Sequence, residues 1–208
     1  ALQRARPART EFPTEDFLPE NPFVTASNTT LKINFPNGDL QVNDFARFRN
    51  VKSSVGGVAI STLQMSTTLN GTITDTATTI DLTDGSQFPT SGFIVIEKVN
   101  AVSGLFENEV IQYTGRSTHQ LTGCTRGTSA PYRGVSPVNT TASSHSSGAK
   151  VFGCYKVVSL NETSVPSTGQ PATTTRFDGI NVTLTNTASG TETGGGFQCT
   201  IGPINDRG

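Results

Sequence analysis

Few side chains in this sequence have types and spacings suited to chemistry. There are two histidines, His119 and His145, and three cysteines, Cys124, Cys154 and Cys199. Of the scattered carboxylates, Asp75, Asp81 and Asp84 lie close together, and Glu97 and Glu109 follow on two apolar runs. A reaction needs a poised acid, base, nucleophile or metal. A zinc centre from His119, Cys124, His145 and Cys154 would use no recognised structural-site spacing. Asp84-Gly85-Ser86 reads first as a turn, and the pattern of a calcium loop is absent. Glycosidic cleavage needs two facing carboxylates, and the sequence does not place Glu97 opposite Glu109. His119 falls in a hairpin turn and His145 in a serine-rich loop, so both are expected to face solvent. The expectation is no enzyme, no catalytic residue, no cofactor and no metal. One pattern points to structure instead. Arg126, in a turn beside the strands carrying Glu97 and Glu109, is a candidate for a bidentate carboxylate clamp.

These groups must be held by strands. Hydrophobic content is 33% and charge 15%, with a formal net charge of −1. Disordered chains pair low hydrophobicity with high net charge, and the second half of that signature is missing. Serine and threonine make up about a quarter of the residues. Threonine suits strands and Ser/Gly suit turns, so the composition reads as β structure with many loops. A near-neutral balance lacks the basic field that nucleic acid or an anionic membrane attracts. No apolar run approaches the length of a membrane span. Three cysteines without CxxC spacing read as free, partly buried thiols in a reducing compartment, because a disulfide framework would leave one over.

Four segments follow along the chain. Residues 1–29 form an extended arm. Pro7, Pro13, Pro19 and Pro22 forbid a continuous helix or central strand there. Arg4, Arg6 and Arg9 are followed by four acids, Glu11, Glu15, Asp16 and Glu20, which dilute any nucleic-acid contact. Such a composition reads as a disordered tail. An ordered arm would need anchors, and Phe12, Phe17 and Phe23 are the candidates, seated in pockets of neighbouring subunits.

Residues 30–66 hold an expected β-hairpin, Thr30–Phe35 against Leu40–Phe45, turning at Asn37-Gly38. Linking strands follow, with Ala46–Lys52 either strand or loop and a short strand within Val55–Gln64. Residues 67–152 are the central β module. Its expected strands are Thr72–Thr74 paired with Thr79–Leu82, then Phe93–Glu97 and Glu109–Tyr113, with Gln120–Thr122 beyond a hairpin connection. The long Thr128–Ser147 stretch reads as a surface loop carrying contacts. Ala149–Phe152 closes the barrel or sandwich. Residues 153–208 are an irregular β extension with strands at Cys154–Leu160, Ile180–Leu184 and Phe197–Ile201.

Read in series, Phe88-Pro89-Thr90-Ser91-Gly92, ENEVIQYTG (107–115), LTGCTRG (121–127) and HSSGAKV (145–151) resemble a short β module of virion structural proteins in tailed bacteriophages. The resemblance covers about residues 69–152 and implies an architecture and a place in a particle, with no active site. It departs from the simplest form by the longer Lys98–Asn108 loop and the inserted Ala130–Thr141. The reading that follows is an all-β virion structural protein of the tail or baseplate region, a virion component assembled in the host cytoplasm. Its partners would be other virion structural proteins and further copies of itself in a ring or trimer, through edge strands and anchored phenylalanines. Nucleic acid and membrane are not expected partners. A capsid decoration or head–tail neck protein is one alternative, and a receptor- or polysaccharide-binding adhesin another. Three tyrosines and no tryptophan make the adhesin weaker, and reduced, separate cysteines would exclude an oxidatively folded secreted form.

Overall fold

A computed structural model describes residues 16–18, 30–34, 40–49, 65–133, 138–161, 179–183 and 200–204. The fold is all-β, as the composition leads one to expect. The described strands are β1 (Asp16–Phe17), β2 (Thr30–Asn34), β3 (Phe45–Arg49), β4 (Ser66–Thr68), β5 (Thr79–Asp81), β6 (Gly92–Ile96) and β7 (Glu109–Tyr113). They continue with β8 (Gly115–Ser117), β9 (Gln120–Thr122), β10 (Thr125–Thr128), β11 (Lys150–Gly153), β12 (Tyr155–Asn161), β13 (Gly179–Thr183) and β14 (Thr200–Pro203). They form three antiparallel sheets, ordered β1-β14-β3-β12-β13-β2, β10-β7-β6-β11-β4 and β5-β9-β8. None of the three closes on itself, so the barrel alternative falls away.

β6 and β7 are interior neighbours in the five-stranded sheet. Ile94 faces Ile111 and Val95 faces Val110 across the ladder. Because side chains alternate between faces, Ile94, Ile96, Ile111 and Tyr113 enter one buried cluster while Val95 and Val110 enter a second. Burial on both faces explains why FIVI and EVI read as continuous apolar runs rather than as alternating ones. Glu109, facing Ile96, shares parity with Ile111 and Tyr113 and therefore points into the larger cluster.

One residue, Cys154, separates β11 from β12 and hands the chain from the five-stranded to the six-stranded sheet. Its thiol donates to the Phe93 carbonyl at 3.2 Å. The same junction is packed by the Phe45 and Phe93 rings, edge to face at 4.4 Å, and by the Arg47 guanidinium 5.0 Å over the Phe152 ring. A guanidinium held over a ring face is attracted by the ring quadrupole while the arginine stem covers apolar surface.

The expected hairpin of Thr30–Phe35 with Leu40–Phe45 is not the pairing found. β2 pairs along its whole length with β13, from Thr30↔Thr183 to Asn34↔Gly179. Residues 41–44 form a turn, because Asp44 Oδ2 accepts from the Gln41 N–H at 2.7 Å and Asn43 takes a φ of 77°. The next strand starts only at Phe45. Likewise Thr72–Thr74 does not pair with Thr79–Leu82. Ile73 bridges His145, and β5 pairs with β9. Ala46–Lys52 resolves as strand over Phe45–Arg49, while the strand expected within Val55–Gln64 and the Phe197–Gln198-Cys199 part of the last expected strand lie outside the described residues.

Candidate functional site

Three of the four motif fragments of the central module, 107–115, 121–127 and 145–151, meet at one buried carboxylate. Glu109 opens β7 and has no solvent exposure. Arg126, in β10, approaches it with two parallel bonds, Nε to Oε1 at 2.8 Å and Nη2 to Oε2 at 2.7 Å. The Gly127 N–H donates to Oε1 at 3.0 Å and the Ser143 N–H to Oε2 at 3.1 Å. His145 Nε2 lies 2.7 Å from Oε2. Five donors thus converge on two oxygens that offer about four lone-pair positions, so the carboxylate is saturated. The guanidinium is engaged on its other side, Nη1 by the Thr74 carbonyl and Nη2 by the Ser143 carbonyl at 2.8 Å. Four stretches of chain, at Thr74, Glu109, Arg126-Gly127 and Ser143–His145, are pinned at one point.

The electrostatics follow from this saturation. Burial alone would push the Glu109 carboxyl up, but the bonds from His145, Arg126 and the Ser143 N–H outweigh it and hold the group at about 2. Glu109 is therefore an anion at neutral pH and accepts only, so His145 Nε2 must carry the proton. Ser143 Oγ sits 3.4 Å from that same nitrogen. Nε2 cannot hold its hydrogen toward Glu109 and also take one from the serine, so the trio lacks the two-sided imidazole of a nucleophile–base–orienter chain. At neutral pH the buried, fully bonded Glu109 carboxylate has no proton to give and no open lone pair to take one, which argues against the Glu97–Glu109 pair as glycosidic carboxylates.

The thiols are quiet as well. Burial pushes Cys124 up to about 11 and Cys154 up to about 12, where the thiolate needed for nucleophilic work is scarce at neutral pH. Both are free in the structure. Asp81 Oδ1 accepts from Gln120 Nε2 at 2.7 Å and Asp84 Oδ1 from the Ser86 N–H at 2.9 Å. Among the described residues no three His, Cys, Asp or Glu side chains are grouped to hold a metal ion.

Arg126 and Glu109 are brought together as the clamp pattern requires. Glu97 is not part of it. It lies at 4.0 Å from Arg47 Nη2 instead, at the junction between the two larger sheets. His119 is half exposed, and its Nδ1 accepts from the Gly85 N–H at 2.9 Å. The 3.5 Å approach of Asp84 to that same nitrogen is no ion pair, since an atom accepting a bond there has no proton to give. His145 corrects the sequence reading. It is 4% exposed rather than solvent-facing, because its backbone pairs with Ile73 in both directions and draws the ring onto Glu109. Its place in a serine-rich loop hid this; its place in the HSSGAKV fragment was the available signal. Arg4, Arg6, Arg9, Phe12 and Phe23 lie outside the described residues. The backbone of Phe17 is described and pairs with Thr200 of its own chain.

Two surface features flank the node. Residues 98–108 extend the β6–β7 ladder as an ordered hairpin: Glu107 N–H donates to the Lys98 carbonyl, Asn100 N–H to that of Leu105, and Val99 bridges Phe106. Asn100 Oδ1 receives the Val102 and Ser103 N–H groups and shapes the tip. Among the described residues, four of the seven exposed large apolar side chains are here, Val99, Val102, Leu105 and Phe106, with Val102 97% exposed. At the hairpin base a polar cleft of about 270 Å³ is lined by Lys98, Glu107, Asn108, Asn139, Thr140, Thr141 and Ser143. Thr140 and Ser143 come from the 128–147 stretch, which the sequence suggested as a surface loop carrying contacts. It is tied down through Glu109 and through Thr140, whose Oγ1 accepts from the Val110 N–H at 2.9 Å. No protein family matches the chain, and no curated protein matches it.

Proposed function

We propose that the chain is a structural component of a tailed-phage virion, assembling by subunit contacts in the tail or baseplate region. The carrying observation is that Glu109, Arg126 and His145, polar motif residues behind the resemblance, and the Gly127 N–H all end in one saturated, buried clamp. A module whose most distinctive side chains are consumed in holding four stretches of chain together works through the shape it presents. What it presents is the ordered apolar hairpin 98–108, and solvated apolar side chains clustered on one rigid element favour protein contact. On this reading the chain runs no reaction, its partners are other virion proteins and its own copies, and it belongs to a particle assembled in the host cytoplasm. Immunogold labelling of purified particles with an antibody to this chain tests it. Label on the tail or baseplate supports the reading, label on the head or neck moves it to capsid decoration, and protein found only free of particles rejects it.

The polar cleft favours a second reading, a saccharide-binding adhesin. Its amide and hydroxyl groups match sugar hydroxyls, though no aromatic face lines it for stacking. Calorimetric titration with host polysaccharide, compared between the parent and Asn139→Ala, decides this. No heat at any ligand concentration removes the adhesin.

A further inference from the structure

Strands β1 and β2 follow one another in the chain, yet they occupy opposite edges of the six-stranded sheet, with β14, β3, β12 and β13 between them. At a strand spacing of about 4.8 Å the two edges are roughly 24 Å apart. The connection from Leu18 to Thr30 reaches at most about 40 Å when extended. That contour length exceeds the separation of the two edges, so chain length alone does not tie β1 to the edge of its own sheet.

The β1 attachment is slight and self-contained. It consists of two paired residues, Asp16↔Ile201 and Phe17↔Thr200, followed by Leu18, which is 1% exposed in the cluster that also holds Phe48, Tyr155 and Ile201. β14 therefore depends on a strand delivered from far along the chain for its outer edge, and Leu18 is the plug that fixes that strand. Nothing about the acceptor requires the plug to come from the same molecule.

We propose that β1 is an exchangeable strand. In the assembled object Asp16–Leu18 of one copy adds to β14 of a second copy, and the vacated edge of the first receives the arm of another. The contacts broken and remade are identical, so the balance is set by the connection and by the local concentration of neighbouring edges. In dilute solution the chain's own edge wins. In a ring or trimer, where copies stand side by side, a neighbour's edge competes. This deepens the assembly reading, on which it rests for the presence of neighbouring copies, and it names the acceptor: the β14 edge with its Leu18 pocket.

Paired cysteines at Phe17 and Thr200 test it, since directly opposed residues on antiparallel strands lie within disulfide reach. In a Cys199→Ser background, Phe17→Cys and Thr200→Cys are made as separate proteins, mixed, and oxidised at rising concentration. A disulfide between them can form only between copies. The expected result is a covalent dimer on non-reducing gels whose fraction rises in proportion to concentration while it is the minor form. The double variant Phe17→Cys/Thr200→Cys should in parallel close on itself when dilute and form linked oligomers when concentrated. Closure without any cross-link in the mixture overturns the proposal. Failure of both to cross-link also overturns it, because β1 would then not sit on β14. Should Thr200→Cys melt early, Asp16→Cys with Ile201→Cys gives the same readout. Particle labelling is independent of this result, so exchange can fail while the virion reading stands, and the reverse.

Discussion

Arg126 and Glu109 meet in a fork-to-fork pair at 2.8 and 2.7 Å, 17 residues apart in the chain, with one carboxylate oxygen left to gather His145 and the Ser143 amide. The pair lies on the larger cluster's side of β7 and closes Thr74, Gly127 and Ser143 around itself. Because the charges are buried, its worth lies in what breaking it would cost.

Truncating one partner strands the other charge. Arg126→Ala should destabilise the fold by about 3–5 kcal/mol, and Arg126→Lys, which keeps the charge but loses the fork, by about 2–3 kcal/mol. The double variant Glu109→Leu/Arg126→Met should recover part of the Arg126→Ala loss. Urea unfolding followed by far-UV circular dichroism measures all three. Equal stability of Arg126→Ala and the parent would show the clamp to be idle.

Acid should undo the same contact. The Glu109 carboxyl is held at about 2 in the fold against an ordinary value of 4.5. A depressed folded value stabilises above the unfolded one and is lost as pH falls from about 4.5 toward 2. The expected loss across that window is on the order of 3 kcal/mol. Glu109→Gln should flatten the dependence while lowering stability at neutral pH. Melting temperatures measured from pH 7 down to pH 2 for both proteins provide the comparison.

Gly127 holds a φ of 64°, and an added Cβ would stand 2.9 Å from the Thr140 carbonyl oxygen and from the Ala142 nitrogen. Both obstacles are backbone, so Gly127→Ala must move the loop that carries Ser143. Strain and displacement together should cost about 2–4 kcal/mol. Gly104, also at positive φ but with open space around its Cβ, is the control: Gly104→Ala should cost about 1 kcal/mol.

Cys124 and Cys154 are buried and shifted upward, so a Cys199→Ser protein should react with a thiol reagent at neutral pH only as fast as it opens. Addition of denaturant should release two thiols at once. Immediate labelling of Cys154 in the folded protein would contradict the packing at the β11–β12 junction, and that of Cys124 its burial between β9 and β10.

The hairpin tip separates folding from assembly. Val102→Asp and Leu105→Asp change solvated side chains and should leave stability within about 0.5 kcal/mol of the parent. Incorporation into particles should fall at least about fivefold, the loss expected of an interface residue worth above about 1 kcal/mol. Normal incorporation would remove the hairpin from the contact surface.

Strands dominated by local pattern were legible. Phe93–Glu97 and Glu109–Tyr113 match β6 and β7 to within a residue, because apolar runs between turn clusters need only local information. Pairing was less so. The Asn37-Gly38 signal pointed to a hairpin, whereas β2 found β13, nearly 150 positions along in sequence. In the second run Asp44 captured the Gln41 and Arg133 amides instead of extending a strand. Glu97 and Glu109 looked equivalent beside Arg126. They differ because Glu109 sits on the inward face at the start of β7, while Glu97 lies one residue past β6 and faces Arg47.

The amino-acid sequence alone determined the all-β class, most strand positions in the central module and the residue types of the clamp. These depend on composition, turn chemistry and short-range alternation. Tertiary structure alone decided which acid Arg126 grips, that His145 is buried, that the 128–147 stretch is tied to β7 and that β1 and β2 lie at opposite edges of one sheet. Each of those is a contact between residues far apart in the chain. Such contacts are selected by burial and by the filling of a limited set of lone pairs, and neither is written in any local stretch.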